Sequence, residues 1–332
     1  MLQTRASFGL TLSNRALVTM GTQPKDLIDM AVKAEGSGLI EALWVGDSII
    51  SKPRLECIPL LGAIAAHTSR LRLGVACMAT IAQRNPVLLA LQWASLDVLS
   101  HGRTILSVCN GGSALDGPPF AHELDVMGVR SRERVGRVVE GITILRRLWS
   151  EDLVTYSGKY YQFSDVALQP KPVQQPVPIL IAVNPKAERV NPATIDRILQ
   201  RVAVHADGWQ TDATPVDTFR RRFDTIQHYA AEHGRDAGAL DSCLHLMVNI
   251  NEDRDQGFQE ATTFLASYYG TGAVSRERAE LWLAYGSPQA VIDKIAAYID
   301  AGCTTPVLRF VAPRPQEQLQ RCIEEVLPAF LL

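Results

Sequence analysis

Short apolar runs alternate with longer segments of helical periodicity along most of this chain. Residues 70–77 and 104–109 have the apolar, β-branched character of strands, and residues 87–99 between them show the periodicity of a helix. A strand, a helix and a second strand within about 40 residues form the repeating unit of a parallel sheet. The pattern therefore predicts an α/β fold.

Eight strand candidates separated by helical segments occur along the chain, near residues 7–12, 41–46, 70–77, 104–109, 178–183, 206–210, 244–250 and 306–311. Eight such units in 332 residues predict a (β/α)8 TIM barrel. We expect a single domain over residues 1–332, with insertions near 110–128, 150–178 and 252–285. The alternative, a doubly wound open sheet, usually carries a glycine-rich phosphate loop after its first strand, which residues 9–14 do not supply.

Four further segments have their own predictions, and the first three lie inside the expected insertions. Residues 156–163 predict a hairpin, and Pro118-Pro119 predicts a loop. Residues 276–285 predict a helix, and residues 316–327 predict the closing helix of the chain.

Composition narrows the class of protein. Hydrophobic residues make up 47% of the chain and charged residues 20%, which allows a full-sized core, and the net charge is -2. The chain has no basic block of the kind that would predict nucleic-acid binding, and no apolar run long enough to span a bilayer. We find no signal peptide and expect a cytoplasmic protein that acts on a small-molecule substrate.

The six cysteines are widely scattered, and no two have the C-x-x-C spacing. The wide scatter of the cysteines argues against a metal site. Cys77, Cys109 and Cys243 lie in apolar strand-like runs, where cysteine usually acts as a small hydrophobic residue. We therefore expect these three thiols to be separate and buried in a reducing compartment.

Polar residues lie at the ends of the predicted strands, where barrel enzymes place their chemistry. Backbone N–H groups in the loops after the strand candidates at 178–183 and 206–210, together with the Thr211 hydroxyl, could hold a phosphate. Arg309 could bind a phosphate or carboxylate, or instead form a salt bridge at a strand edge. Asp47 could serve a site or simply cap the next segment. The candidates are Asp47, Ser48, Asn110, Gly111, Val183, Asn184, Thr211 and Arg309, with His122 and His245 as histidines that could face the same end or be structural.

Several segments together resemble the bacterial luciferase-like superfamily of flavin and deazaflavin oxidoreductases. Their order and spacing match nearly from end to end: Asn85-Pro86, Leu96-Asp97, Ser100-His-Gly-Arg103, Arg132, Glu140, Leu148-Trp149, Tyr156-Ser-Gly-Lys-Tyr160, Ala206-Asp-Gly-Trp209, Gly286-Ser-Pro-Gln-Ala-Val291 and Ala301-Gly302. Residues 44–56 resemble the branch of the methylene-tetrahydromethanopterin reductases. Many members of that branch use the deazaflavin coenzyme F-420, whereas others in the superfamily use FMN.

The resemblance implies a TIM barrel whose mouth holds the coenzyme ring, with the coenzyme phosphate near the late-strand loops. It places Asp47 beside the ring, followed by Ser48 where a histidine is common. Ala76-Cys77 falls where the family has a non-prolyl cis peptide behind the ring; the alternative is an ordinary strand end.

Further positions depart from the family pattern. Asn110 and Gly111 would lie close to the ring, and the Asn110 side chain would form a hydrogen bond to a ring carbonyl. The alternative is that these residues form a plain turn. Gly112 replaces a glutamate of related enzymes, so the acid is absent or comes from His122, Glu123 or the substrate. Val183-Asn184 replace two small residues near the phosphate.

The resemblance implies hydride transfer between coenzyme F-420 and a small organic substrate. One alternative is an FMN-dependent monooxygenase or oxidoreductase that uses dioxygen and a separate flavin reductase. Another is a barrel that binds flavin without catalysis, since Ser48, Cys109 and Gly112 depart from common family residues. The loops expected to select the substrate are residues 14–21, 113–128 and 269–278. Relatives pair through barrel helices, which implies a homodimer.

Overall fold

Eight parallel strands close into a barrel in the computed structural model, which describes residues 6–186 and 188–331. The strands in chain order are β1 (Gly9–Leu12), β2 (Ala42–Val45), β3 (Arg72–Met78), β4 (Thr104–Val108), β5 (Val154–Ser157), β6 (Gln162–Val166), β7 (Ile179–Ala182), β8 (Gly208–Asp212), β9 (Asp241–Ile250), β10 (Leu283–Gly286) and β11 (Thr305–Phe310). The barrel order is β1-β2-β3-β4-β7-β8-β9-β11, and β11 pairs with β1 to close it. The predicted (β/α)8 barrel is confirmed.

Twelve α-helices are found in the described part of the chain. They are α1 (Ala16–Thr19), α2 (Pro24–Ser37), α3 (Cys57–His67), α4 (Pro86–Leu99), α5 (Pro118–Val126), α6 (Arg134–Ser150), α7 (Pro192–His205), α8 (Val216–Glu232), α9 (Arg254–Tyr269), α10 (Arg276–Trp282), α11 (Pro288–Asp300) and α12 (Pro315–Arg321). Local sequence explains their starts: Asn85 accepts hydrogen bonds from the N–H groups of Val87 and Leu88, and Pro86 occupies the first turn of α4. None of the described helices is long and apolar enough to cross a membrane.

Three segments differ from the sequence predictions. The loop predicted at Pro118-Pro119 is wrong, because both prolines open α5, where a missing N–H is tolerated. The helix predicted to Tyr285 ends at Trp282, and β10 follows, because β9 extends past its pairing with β8 and offers free backbone groups to β10. The closing helix changes to a π-helical turn at Cys322–Val326. The predicted hairpin is confirmed as β5 and β6.

Trp44 fills the interior of the barrel below the site. Its indole lies between Gly9 of β1 and Gly74 of β3, and a Cβ at these positions would lie 2.9 and 2.3 Å from indole atoms. The neighbouring strands therefore need glycine to admit the indole. The next inward-facing layer, toward the carboxyl ends of the strands, is polar and contains Thr11, Ser107, Gln210 and His245.

Candidate active site

A cavity of about 910 Å³ opens at the carboxyl ends of the barrel strands. A second cavity of about 690 Å³ shares Lys52, Ala76, Cys77 and Arg309 with it, so we treat the two as one mouth cavity. This is the end of the barrel at which enzymes of this fold place their active sites.

Most of the candidate residues from the sequence line this mouth cavity. They are Asp47, Ser48, Ala76, Cys77, Gly111, Val183, Asn184, Thr211 and Arg309. Asn110 is not among the lining residues, and its carbonyl accepts a hydrogen bond of 2.8 Å from Arg134 Nη1. His122 is exposed and also lies outside the lining.

The ends of β3 and β4 form one wall of the cavity. The peptide bond between Ala76 and Cys77 is cis, as the resemblance implies. Cys77 forms a disulfide with Cys109, with Cα atoms 5.9 Å apart. The expectation of two separate thiols is wrong here, because β3 and β4 are adjacent and end side by side. Cys243 is a buried free thiol, as expected.

Gly111 continues this wall with a backbone that only glycine adopts easily. Its φ is +65°, and a Cβ would lie 2.3 Å from the carbonyl oxygen of Ala79. The glycine therefore lets the loop after β4 lie directly against the loop after β3.

Asp47 is buried in an ion pair beneath the cavity. Its Oδ1 accepts a 2.8 Å hydrogen bond from Arg84 Nη2, and its Oδ2 accepts from the N–H and the hydroxyl of Thr80, at 2.9 and 2.6 Å. Arg84 also pairs with Glu56 at 2.9 Å. Burial opposes the charge of Arg84, but the two carboxylates outweigh it and raise the pKa of Arg84.

The carboxylates of Asp47 and Glu56 and the thiol of Cys57 lie within 4.8 Å of one another, a spacing that could suit a cation. Arg84 already supplies the positive charge between the two carboxylates. Burial, followed by the charge of Asp47, raises the pKa of the Cys57 thiol well above its usual value, so it stays protonated. The group therefore functions as an ion pair rather than as a metal centre.

Glu123 on α5 holds the loop after β2 in place. Its Oε2 accepts hydrogen bonds from the N–H groups of Ile49, Ile50 and Ser51, at 3.0, 2.6 and 2.7 Å. Burial raises its pKa, but these hydrogen bonds outweigh burial, and the net effect lowers the pKa of Glu123. A carboxylate that is ionised and fully engaged is a poor proton donor, so Glu123 is a structural anchor.

The floor of the cavity is a neutral polar layer. His245 contacts Thr11 Oγ1 through Nδ1 at 3.2 Å and the Gln210 amide through Nε2. Burial, and secondarily Arg309, lowers the pKa of His245 to about 3, so the ring is neutral. His245 thus reaches the mouth, but as an uncharged hydrogen-bonding group.

The loops after β7 and β8 are joined to each other. Asn184 donates to the carbonyl of Asp212 at 2.5 Å and accepts from Arg222 Nη1 at 3.0 Å. The Thr211 hydroxyl pairs with that of Thr214 at 2.9 Å. Both side chains are therefore already paired, which leaves backbone groups to meet a ligand there.

Several lining residues were not among the site candidates predicted from the sequence. Lys52 and Arg54 follow the Asp47 loop, while Tyr269 is the last residue of α9 and Arg278 lies in α10. The motif Lys52-Pro-Arg-Leu-Glu56 was the available signal, but nothing in it shows that it lines the same cavity as residues 269–278.

The cavity suits a large ligand rich in acceptors. Arg309 donates to the Tyr269 hydroxyl at 2.8 Å, yet its Nε is buried without a partner, as are Nε and Nη1 of Arg15. Unpartnered buried donors are rare in native structures. Their position in a cavity of this size fits a flavin or deazaflavin coenzyme, whose ring and tail carry carbonyl and phosphate oxygens.

A parallel barrel with this mouth defines an α/β-barrel enzyme that takes a large ligand. Residues 6–305 match the luciferase-like monooxygenase family, and the chain belongs to it. The chain is a flavin- or deazaflavin-dependent oxidoreductase of that superfamily, as the sequence predicts.

Individual relatives are distant but extend over the whole chain. The F-420-dependent glucose-6-phosphate dehydrogenase of Kineococcus radiotolerans is 26% identical over 330 residues, covering 92% of this chain and 93% of the relative. The coenzyme F-420-dependent tetrahydromethanopterin reductase of Methanopyrus kandleri has 19% identity and a TM-score of 0.76, with 98% of this chain and 99% of that chain covered. A riboflavin lyase with modified FMN has 16% identity and a TM-score of 0.73, with 98% and 91% covered.

Proposed function

We propose that this enzyme transfers a hydride between coenzyme F-420 and a small organic substrate in the mouth cavity. The observation that carries the proposal is the wall made by Ala76, Cys77 and Gly111. These three residues line the cavity, and the family resemblance implies that the coenzyme ring packs against the strand end at Ala76-Cys77.

Two further observations support the deazaflavin over FMN. Residues 44–56 resemble the F-420-using branch, and the relative from Kineococcus radiotolerans is named as F-420-dependent. The deazaflavin ring supplies a carbon that accepts or donates a hydride, so the protein's task is to bind, orient and exclude water.

The chain's own residues divide this task. The β3 and β4 ends provide a wall, and the backbone of the loops after β7 and β8 faces the expected phosphate. Arg309 offers an unpartnered Nε beside Tyr269. Asp47 acts indirectly in this proposal, because its pairing with Arg84 and Thr80 fixes the loop that carries Ser48.

The test is equilibrium binding of the apoprotein to oxidised coenzyme F-420 and, separately, to FMN. The binding is measured through the absorbance and fluorescence of each coenzyme. We expect micromolar or tighter binding of F-420 and at least tenfold weaker binding of FMN. The reverse order would replace the proposal with an FMN enzyme, and oxygen consumption would then be the next assay. Binding of neither coenzyme would contradict both.

A matched pair of variants locates the binding site. Gly111→Ala places a methyl group against the Ala79 carbonyl and should weaken F-420 binding by about tenfold, or about 1.4 kcal/mol. Gly128→Ala is the control, because Gly128 has a similar φ of +66° but no atom within 4 Å of its added Cβ. Equal effects of the two substitutions would show that the loss reflects backbone strain rather than the cavity wall.

A further inference from the structure

Lys52 places an ammonium group in the mouth cavity without an acidic partner. Its Nζ lies 5.1 Å from the centroid of the Phe120 ring and 5.2 Å from that of Tyr269. None of the ion pairs found within residues 6–186 and 188–331 includes Lys52. The amine is therefore held in position by aromatic rings and left open on the cavity side.

Three arginines increase the positive charge around this amine. Burial, followed by the charges of Arg54, Arg15 and Arg278, lowers the pKa of Lys52 to about 8, and Asp116 is the acid that opposes this. Burial and Arg54 likewise lower the pKa of Arg15. We call Arg15, Lys52, Arg54 and Arg278 the cation cluster.

The acids that line the cavity are mostly committed elsewhere. Asp47 pairs with Arg84, and Glu123 binds the backbone of residues 49–51. Asp212 pairs with Arg278 at 2.7 Å. Asp116 lies 3.6 Å from Arg189. Glu188 and Glu277 also line the cavity, but no ion pair within the described residues joins either of them to Lys52, Arg54 or Arg15. The charges of these three cations are therefore open to an anionic ligand, and burying them without one is costly.

A departure from the family pattern makes room for this arrangement. Gly112 stands where related enzymes carry a glutamate, and a Cβ there would lie 2.1 Å from the Phe120 ring. The absent side chain lets Phe120 lie beneath the Lys52 amine. At this wall the chain has therefore lost an acid and presents a cation.

We propose that the cation cluster binds a phosphate or carboxylate group of the substrate, with Lys52 as its central ligand. This inference rests on the proposed function. It assigns the anion to the substrate because Arg15, Arg278 and both rings lie on the three loops expected to select the substrate, while Lys52 and Arg54 reach the same cavity from the loop after β2. Arg15, Phe120 and Arg278 come one from each of those loops, and the coenzyme phosphate is expected at the loops after β7 and β8.

The probe is inorganic phosphate, titrated calorimetrically into the apoprotein and into protein saturated with coenzyme. Charge-assisted hydrogen bonds contribute enough that Lys52→Met should weaken phosphate binding about tenfold or more, while Lys52→Arg should retain most of it. Coenzyme affinity should change less than about threefold. Phosphate binding should also weaken as pH rises above about 8, because Lys52 loses its proton while the three arginines stay charged.

Lys294→Met is the matched control. Lys294 is another half-buried lysine whose pKa is lowered to about 8 by burial, but its amine donates to the carbonyls of Glu280 and Leu281, away from the mouth. The control should leave phosphate binding unchanged.

Two results would overturn the inference. Phosphate binding unaffected by Lys52→Met in a folded variant would remove the subsite. Competition between phosphate and coenzyme would assign the anion to the coenzyme. Phosphate binding is measured on the apoprotein, so it tests the cation cluster independently of the coenzyme. Failure to bind F-420 would therefore contradict the proposed function but not the anion subsite.

Discussion

Replacing Arg84 with methionine tests whether Asp47 is a structural ion-pair partner or a free carboxylate of the site. Arg84 Nη2 lies 2.8 Å from Asp47 Oδ1, and the exposed fractions of the two side chains are 15% and 1%. Methionine keeps most of the apolar stem but leaves a buried carboxylate with only the hydrogen bonds from Thr80 and a 3.6 Å contact from the Cys57 thiol. Breaking such a pair costs about 3–5 kcal/mol. The second pair, Arg84–Glu56, adds at most about 1 kcal/mol because the Glu56 side chain is 42% exposed.

Urea unfolding of the apoprotein measures this loss within a double-mutant cycle. Arg84→Met alone should lower the free energy of unfolding by about 3–5 kcal/mol. Asp47→Asn removes the stranded charge and still accepts from Thr80. The double variant should therefore be more stable than the sum of the single losses implies, with a coupling of about 2 kcal/mol.

A surface pair provides the control. Lys25 and Asp29 lie at 2.5 Å, but their side chains are 80% and 53% exposed, so Lys25→Met should cost less than about 0.5 kcal/mol. A loss below about 1 kcal/mol for Arg84→Met, without coupling to Asp47→Asn, would refute the reasoning. Asp47 would then return as a candidate acid or base.

Three further predictions concern the fold that supports the site. Glu123→Gln should destabilise the protein at neutral pH. Because the fold lowers the pKa of Glu123, the stability that its carboxylate contributes is complete above the unfolded pKa near 4.3 and is lost as the pH falls below that value. The urea midpoints of wild type and variant should therefore converge between about pH 5 and 3, and a constant difference would contradict this prediction. Gly74→Ala should cost about 1–3 kcal/mol because its Cβ would meet the Trp44 indole, whereas Gly62→Ala, in α3 with no atom within 4 Å, should be neutral or stabilising in thermal melts. Thiol titration of denatured, non-reduced protein should find four thiols, rising to six after reduction, and six before reduction would exclude the Cys77–Cys109 bond.

Much of the fold could be predicted from local patterns. Apolar runs flanked by helical segments located all eight barrel strands, because a strand buried on both faces is apolar throughout. Short elements were harder: β10 has four residues, and only the free edge of β9 makes them a strand. The helix at Pro118 was missed because a proline pair suits both a turn and a first helical turn.

Candidate site residues could be located by strand ends, but not their pairings. Asp47 and Arg84 are 37 residues apart, and Cys77 and Cys109 are 32 apart. Lys52 was visible within a motif, yet its surroundings come from α5, α9, α10 and the residue before α1. A side chain's chemistry depends on such neighbours, which sequence spacing does not reveal.

The sequence by itself therefore determined the barrel, its family and the end of the barrel that carries the site, because hydrophobic periodicity and strand order are local properties. Tertiary structure alone decided which charges are neutralised and which stay open. Asp47 is occupied by Arg84, while Lys52 faces the cavity over two rings. The physical reason is that electrostatic free energies depend on distance and burial, and closing the barrel brings residues far apart in the chain within a few ångströms.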